Sequence, residues 1–357
     1  MSGALGRFRV ALTGDFFGPD GSTKYPDVGL SILDASDDVE WVRFPEPRTP
    51  IGPDQVADSG ANGVVVLTPA VTVESVSRAR DLLAIGRFGV GYDAVDVAAC
   101  TAADVVVFIT AGAVDRPVAE ATVGWMIALG HNLRIKDDLV RTGRWDERSK
   151  YMGRELRGRT FGAVGFGGIG RATVQLLRGF GMNPPMAFDP FLAPAAAEEA
   201  GVRSVGLDEL LREADYVSIH CPLNRETRGL IGPREIALMR PDAYLINTAR
   251  GGIVDEDALY DALANGRIAG AALDCFAEEP VVRPHRFGRL ENVLLAPHCI
   301  AWTDELFRDI GRAACGGMVD LAMGRTPRGV VNPEVLDRAG FREKWERLRP
   351  RRGDLPA

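Results

Sequence analysis

Six short apolar runs, each followed by a stretch of helical character, divide residues 160–298 into a regular alternation. The runs are TFGAVGFG (160–167), MAFD (186–189), YVSIHC (216–221), AYLINTA (243–249), GAALDCF (270–276) and NVLLAPH (292–298). They are apolar throughout instead of alternating with polar residues, the pattern of parallel strands buried on both faces. Six such strands joined by helices predict a doubly wound α/β sheet, because right-handed crossovers leave few other topologies. Pro184 and Pro185 precede the second run, where a strand tolerates proline. The first hundred or so residues repeat the alternation more loosely. FRVALTG, VEWVRF, GVVVL, LLAIGRF and VVVFIT predict five strands of a second α/β domain. A chain of 357 residues suits two such domains.

Between the halves lies RPVAEATVGWMIALGHNLRIKDDLVRTG (116–143), with Pro117 at a plausible first helical turn. Val118, Thr122, Trp125, Met126, Leu129 and Leu133 share one helical face. Read as one helix, it would run roughly 35–40 Å. The end of the chain, RAGFREKWERLRPRRGDLPA, reads as a loosely ordered basic tail. The aromatic loop 14–29 reads equally as a lid or as a plain surface loop.

Composition narrows the partners. Charged residues make up 25% and apolar residues 46%, and a net charge of −7 argues against broad binding to nucleic acids or acidic membranes. No segment has the apolar length of a membrane span, and residues 1–10 lack a signal peptide's apolar region. The five cysteines show no CxxC pair and no metal-ligand spacing, so the expectation is a reduced, cytoplasmic protein without disulfides or a bound metal.

Gly165-Phe166-Gly167-Gly168-Ile169-Gly170 is a GxGxxG placed between a predicted strand and a predicted helix. Its glycines allow a tight turn and close approach of backbone to a pyrophosphate, and the helix start offers N–H groups and a favourable dipole. Asp189 ends the next run, nineteen residues past Gly170. A carboxylate there can accept from the adenosine ribose hydroxyls and would repel a 2′-phosphate, so the pair predicts NAD in preference to NADP.

Ligands of a doubly wound sheet bind outside the carboxyl ends of its strands. Those ends carry His220-Cys221-Pro222-Leu223, Arg250, Glu279 and His298. Taken singly, Arg250 also reads as a surface cation, Glu279 as a solvated loop residue and His298 as a strand cap. Together on one rim they suit hydride transfer to a 2-oxo acid. Arg250 would orient a carboxylate bidentately, His298 would carry the proton, and Glu279 would hold the imidazole's tautomer and favour imidazolium.

The chain resembles the D-isomer-specific 2-hydroxyacid dehydrogenases in GRFGVGYDAVD (86–96), RPVAEATVGWMIAL (116–129), FGAVGFGGIGRA (161–172), HCPLNRETRGLI (220–231), LINTARGGIVDEDAL (245–259), ALDCFAEEP (272–280) and APHCIAWT (296–303). The resemblance implies a Rossmann NAD-binding domain over 116–302 and a discontinuous, flavodoxin-like substrate domain over 1–115 and 303–357. Hinges would lie near 113–117 and 301–303, around a closing cleft. It implies Arg250, Glu279 and His298 as catalytic residues, and Val90 and Gly91, with Arg250 and His298, as substrate contacts. Thr122, Gly168, Ile169, Asp189, Cys221, Leu223, Thr227, Thr248, Ala249 and Asp274 would join Gly165, Gly167 and Gly170 around NAD, with Arg250 and His298 at its reactive end. A homodimer built partly on the helix after Pro117 is also implied. Trp302 departs from the small residues that many relatives carry there, so substrate size does not transfer; loops around Val90, Asp115-Arg116 and Trp302 would set it. Two alternatives share this pattern: an NAD(H)-sensing scaffold similar to the C-terminal-binding-protein corepressors, and a phosphite- or phosphonate-type dehydrogenase.

Overall fold

Every apolar run named above becomes a parallel strand in the computed structural model, which describes residues 6–350. Residues 1–5 and 351–357 lie outside the described residues, and with them half of the amino-terminal stretch and the last part of the basic tail. The chain divides into two units, Met1–Val114 with Thr303–Ala357, and Asp115–Trp302.

The first unit holds β1 (Phe8–Leu12), β2 (Val39–Arg43), β3 (Gly63–Val66), β4 (Ala84–Arg87) and β5 (Val106–Ile109), in the order β2-β1-β3-β4-β5. The helix Asp304–Ala322 returns the carboxyl-terminal segment to this sheet. It crosses the chain at Gly29 so closely that a Cβ on Gly311 would stand 2.4 Å from the Val28 carbonyl carbon. Asn332, fully buried, accepts the Val107 N–H at 2.8 Å and donates to Thr101 Oγ1 at 2.8 Å and the Val105 carbonyl at 3.0 Å. It extends the backbone pairing on the outer edge of β5, where the Ile109 N–H donates to the Gly329 carbonyl at 3.0 Å and the Val331 N–H to the Val107 carbonyl at 2.9 Å.

The second unit holds β6 (Phe161–Val164), β7 (Met186–Phe188), β8 (Arg203–Ser204), β9 (Tyr216–Ile219), β10 (Tyr244–Asn247), β11 (Gly270–Leu273) and β12 (Val293–Leu295), in the order β12-β11-β10-β9-β6-β7-β8. All residues of β6, β9, β10 and β11 are buried. The strand order reverses between β6 and β9, and a doubly wound sheet opens its ligand crevice at that point. The short β8 was not foreseen, since both its residues are exposed and neither is apolar.

The segment 116–143 is two helices, Asp115–Gly130 and Leu133–Arg141, not one. Asn132 takes the left-handed conformation (φ 54°), open to asparagine at low cost, and the Gly130 carbonyl accepts the Arg154 N–H instead of a helical one. The presumed tail contains a helix, Ala339–Leu348, whose Phe341 is fully buried. Trp345 Nε1 donates to the Leu321 carbonyl at 2.8 Å, and Lys344 Nζ donates to the carbonyls of Leu82, Ala103 and Asp104. Phe341, Lys344, Trp345 and Leu348 keep helical spacing, which the high charge of the segment masked. The 14–29 loop is anchored, with Phe16 buried edge-on to Phe88 at 5.0 Å and Tyr25 stacked on Phe307 at 4.3 Å.

Replacing Asn332 with alanine should destabilise the protein by about 2–4 kcal/mol in urea unfolding, because the Val107 N–H and Val105 carbonyl would be left buried and unpaired.

Candidate active site

The glycine-rich turn after β6 uses each glycine differently. Gly165 has φ 92°, and a Cβ there would meet the Cys221 nitrogen at 2.6 Å. Gly170 lies so close under the turn that a Cβ would stand 2.9 Å from the Gly165 carbonyl oxygen. Above Gly167 the space is open, with nothing within 4 Å of a Cβ position. Gly167 begins the helix Gly168–Leu177 without a side-chain cap, so the first-turn amides of Gly168, Ile169 and Gly170 face an uncapped edge. Asp189, at the end of β7, accepts the Phe166 N–H at 2.8 Å through one oxygen and the Phe191 N–H at 2.9 Å through the other. These features fit a dinucleotide: a cradle that side chains would fill, uncapped amides, and a carboxylate one strand away.

The neighbouring strand ends complete the rim. Cys221 and Leu223 follow β9, and burial pushes the Cys221 thiol up to about 11. His220 beside it is pushed down to about 4 by burial, so its imidazole is neutral at physiological pH. Thr227 closes the 222–228 loop by donating to the Pro222 carbonyl at 2.6 Å and accepting the Asn224 N–H at 2.8 Å. Thr248 Oγ1 is buried without a hydrogen-bond partner among the described residues. Thr122 is fully buried and its hydroxyl donates within its own helix, to the Val118 carbonyl at 2.9 Å. Val90 and Gly91 follow β4, at its carboxyl end, in the first unit.

Arg250, Glu279 and His298 come from the ends of β10, β11 and β12. Asn247, 2% exposed, shapes the turn that carries Arg250 by donating to the Arg250 carbonyl at 2.8 Å and accepting the Ala249 N–H at 3.0 Å. Asp274 does the same for His298. Its carbonyl accepts the His298 N–H at 2.8 Å, and its Oδ1 accepts from Cys299 at 2.9 Å and Ile300 at 3.2 Å. Burial raises the Asp274 carboxyl, against the lowering effects of the Ile300 N–H, the His298 charge and the Cys299 N–H. His298 itself has φ 55°, an uncommon conformation for a side chain of its size, imposed by this turn.

His298 Nδ1 meets Glu279 Oε2 at 2.7 Å. Burial works to raise the Glu279 carboxyl, but the His298 hydrogen bond, the Phe276 N–H at 2.9 Å and the charges of His298 and Arg250 outweigh it and hold Glu279 below the usual range. Glu279 is therefore an acceptor, so Nδ1 carries hydrogen and Nε2 is the nitrogen left to give or take a proton. The spacing of sequence motifs did not reveal Asn247, which reads as an ordinary strand residue. Nor did it reveal Asp115 as a neighbour of the glycine turn. The Asp115 carboxylate occupies the place where a Cβ on Gly168 would stand, and burial raises its carboxyl.

A family model described as D-isomer specific 2-hydroxyacid dehydrogenase, NAD binding domain, matches residues 123–299. The chain is 34% identical to a glyoxylate reductase of Thermococcus litoralis over 318 residues, 87% of this chain and 95% of that one. It is 38% identical over 281 residues to a D-3-phosphoglycerate dehydrogenase of Methanocaldococcus jannaschii, covering 78% of this chain and 52% of the relative, so it spans about half that relative's length. The crystal structure of a glyoxylate reductase from Paecilomyes thermophila superposes with a TM-score of 0.79 at 26% identity, covering 92% of this chain and 99% of that one.

A pyrophosphate at the glycine turn would face the Asp115 carboxylate. NADH affinity should therefore fall as pH rises through the raised carboxyl's titration, since only the protonated form is without repulsion. Asp115→Asn should tighten binding by about threefold to tenfold at neutral pH and flatten that dependence, read by nicotinamide fluorescence.

Proposed function

Because the chain belongs to the D-isomer specific 2-hydroxyacid dehydrogenase family, we propose that it interconverts a small D-2-hydroxy acid and its 2-oxo acid. Its NAD-binding domain makes it an NAD-dependent oxidoreductase. Bound NAD supplies the hydride acceptor, and NADH the donor, at the nicotinamide ring. The remaining work falls to this chain's own side chains.

His298 gives its Nε2 proton to the carbonyl oxygen as the alcohol forms and takes it back in oxidation. The observation that carries this reading is the 2.7 Å contact between Nδ1 and Glu279, which holds one tautomer and compensates the imidazolium. Arg250 orients the substrate carboxylate and polarises the carbonyl with its planar fork. Its charge also helps to hold the Glu279 carboxyl low, which supports this role. Gly165, Gly167, Gly168, Ile169 and Gly170 receive the pyrophosphate. Asp189 takes the adenosine ribose, and the ends of β9, β10 and β11 line the rest of the nucleotide. Val90 and Gly91 offer backbone amides to the substrate carboxylate, and residues before 115 and after 303 form the substrate domain. A homodimer belongs to the same reading. Leu133, Val140, Trp145 and Met152, all exposed in the segment after the break at Asn132, support it as apolar side chains that a second copy would cover.

The test is NADH consumption against 2-oxo acids from glyoxylate and hydroxypyruvate to branched and aromatic ones. NADPH should serve at least about tenfold less well, because Asp189 repels its 2′-phosphate. Arg250→Ala should lower kcat/KM for the best substrate by about 10²–10³-fold while changing NADH affinity far less. With chemistry rate-limiting, reduction should slow as pH rises and oxidation should quicken, because His298 must be protonated for one and neutral for the other. Turnover unchanged in Arg250→Ala, or reduction flat through alkaline pH, would contradict these roles.

A further inference from the structure

Cys275 has no part in the chemistry proposed above, yet its thiol stands beside the pair that does. Its Sγ, a Glu279 carboxylate oxygen and a His298 ring nitrogen all lie within 4.8 Å of one another. Backbone contacts hold each in place. Cys275 follows β11 with one residue between, is 2% exposed, and its Sγ lies 3.4 Å from the Ala249 carbonyl. Glu279 is tied by the Phe276 N–H, and the turn bearing His298 is tied to Asp274. The Glu279 and His298 side chains are 33% and 43% exposed, so the group is open on the side away from the thiol.

We propose that Cys275, Glu279 and His298 form a binding site for a thiophilic divalent cation, Zn²⁺ foremost, and that its occupancy switches catalysis off. Thiolate, imidazole and carboxylate are the three donor types that zinc takes, and three protein ligands leave the fourth position to water. Ligand atoms at zinc's bond lengths stand about 3.3–3.8 Å apart in a tetrahedron, so the present spacing needs closure of roughly 1 Å. Binding releases the thiol proton to solvent, and thiolate plus carboxylate balance the cation's charge. The nearby Asp274 carboxylate adds to the attraction and the Arg250 guanidinium opposes it. If the metal takes Nε2 it occupies the proton-carrying atom. If it takes Nδ1 it displaces the hydrogen bond to Glu279. In both cases the imidazole no longer delivers a proton. Mg²⁺ and Ca²⁺ favour all-oxygen shells and do not match the set.

The binding does not depend on the dehydrogenase reading; the switch does. Chelator-treated protein is titrated with Co²⁺ alone, followed by Zn²⁺ to displace it. The expected result is a thiolate-to-cobalt charge-transfer band in the near ultraviolet, abolished in Cys275→Ser and in Cys275→Val, and kept in Cys299→Ser. The two Cys275 variants guard against a folding defect in either one. In turnover assays Zn²⁺ should inhibit reversibly, with chelator restoring activity, and Cys275→Ser should need at least about tenfold more Zn²⁺. NADH binding by fluorescence should persist with Zn²⁺ present. Absence of the band, or its loss in Cys299→Ser with retention in Cys275→Ser, overturns the site. A band accompanied by undiminished turnover overturns the switch. The band needs no turnover, so a protein that forms it yet reduces no 2-oxo acid would refute the dehydrogenase reading and leave the site standing.

Discussion

Burial of a parallel sheet on both faces is the constraint from which the arrangement of this molecule follows. With β6, β9, β10 and β11 wholly buried, no polar side chain can leave the sheet from its middle without losing its water. Chemistry is pushed to the carboxyl edge, where the chain turns out of the sheet. Each turn then needs its own amides satisfied. Asn247 and Asp274 meet that need with nearly buried side chains that accept N–H groups from the next few residues of their own loop or the adjoining one. The same bonds that satisfy the backbone aim Arg250 and His298, so stability and positioning share their atoms.

Charge at the rim is arranged in tension. Desolvation pushes Asp274 and Asp115 towards their neutral forms, while Glu279 is kept ionised by a ring nitrogen, an amide and a guanidinium. Carboxylates within one unit thus sit in opposite states of comfort, through their depth and their partners together. Those differences favour a site in which one acid serves as a fixed acceptor and others respond to what binds beside them.

Much of this was legible in the order of residues. The apolar runs located eleven of the strands, most plainly the wholly buried β3, β6, β9, β10 and β11, and β8 escaped because an edge strand of two exposed residues carries no such mark. The GxGxxG, Asp189, Arg250, Glu279 and His298 were visible as motifs at strand ends. What stayed hidden depended on three-dimensional proximity. Asp115 meets Gly168 across more than fifty positions, and Cys275 meets His298 across two strand ends, so neither shows a spacing. The break at Asn132 and the helix around Phe341 were misjudged for a different reason: a local backbone choice and a helical stripe were outvoted by the average character of their segments.

Segments before 115 and after 303 meet in one unit, and this has a consequence for how the protein comes into being. Gly29 lies against Gly311, Cys315 reaches the Val28 carbonyl, and Asn332 closes β5. During synthesis the first five strands emerge early but wait for partners that leave the ribosome nearly two hundred residues later. The middle segment, complete in itself, can settle first. While residues 115–302 are being made, the nascent chain therefore carries a five-stranded sheet that still lacks the partners supplied after 303.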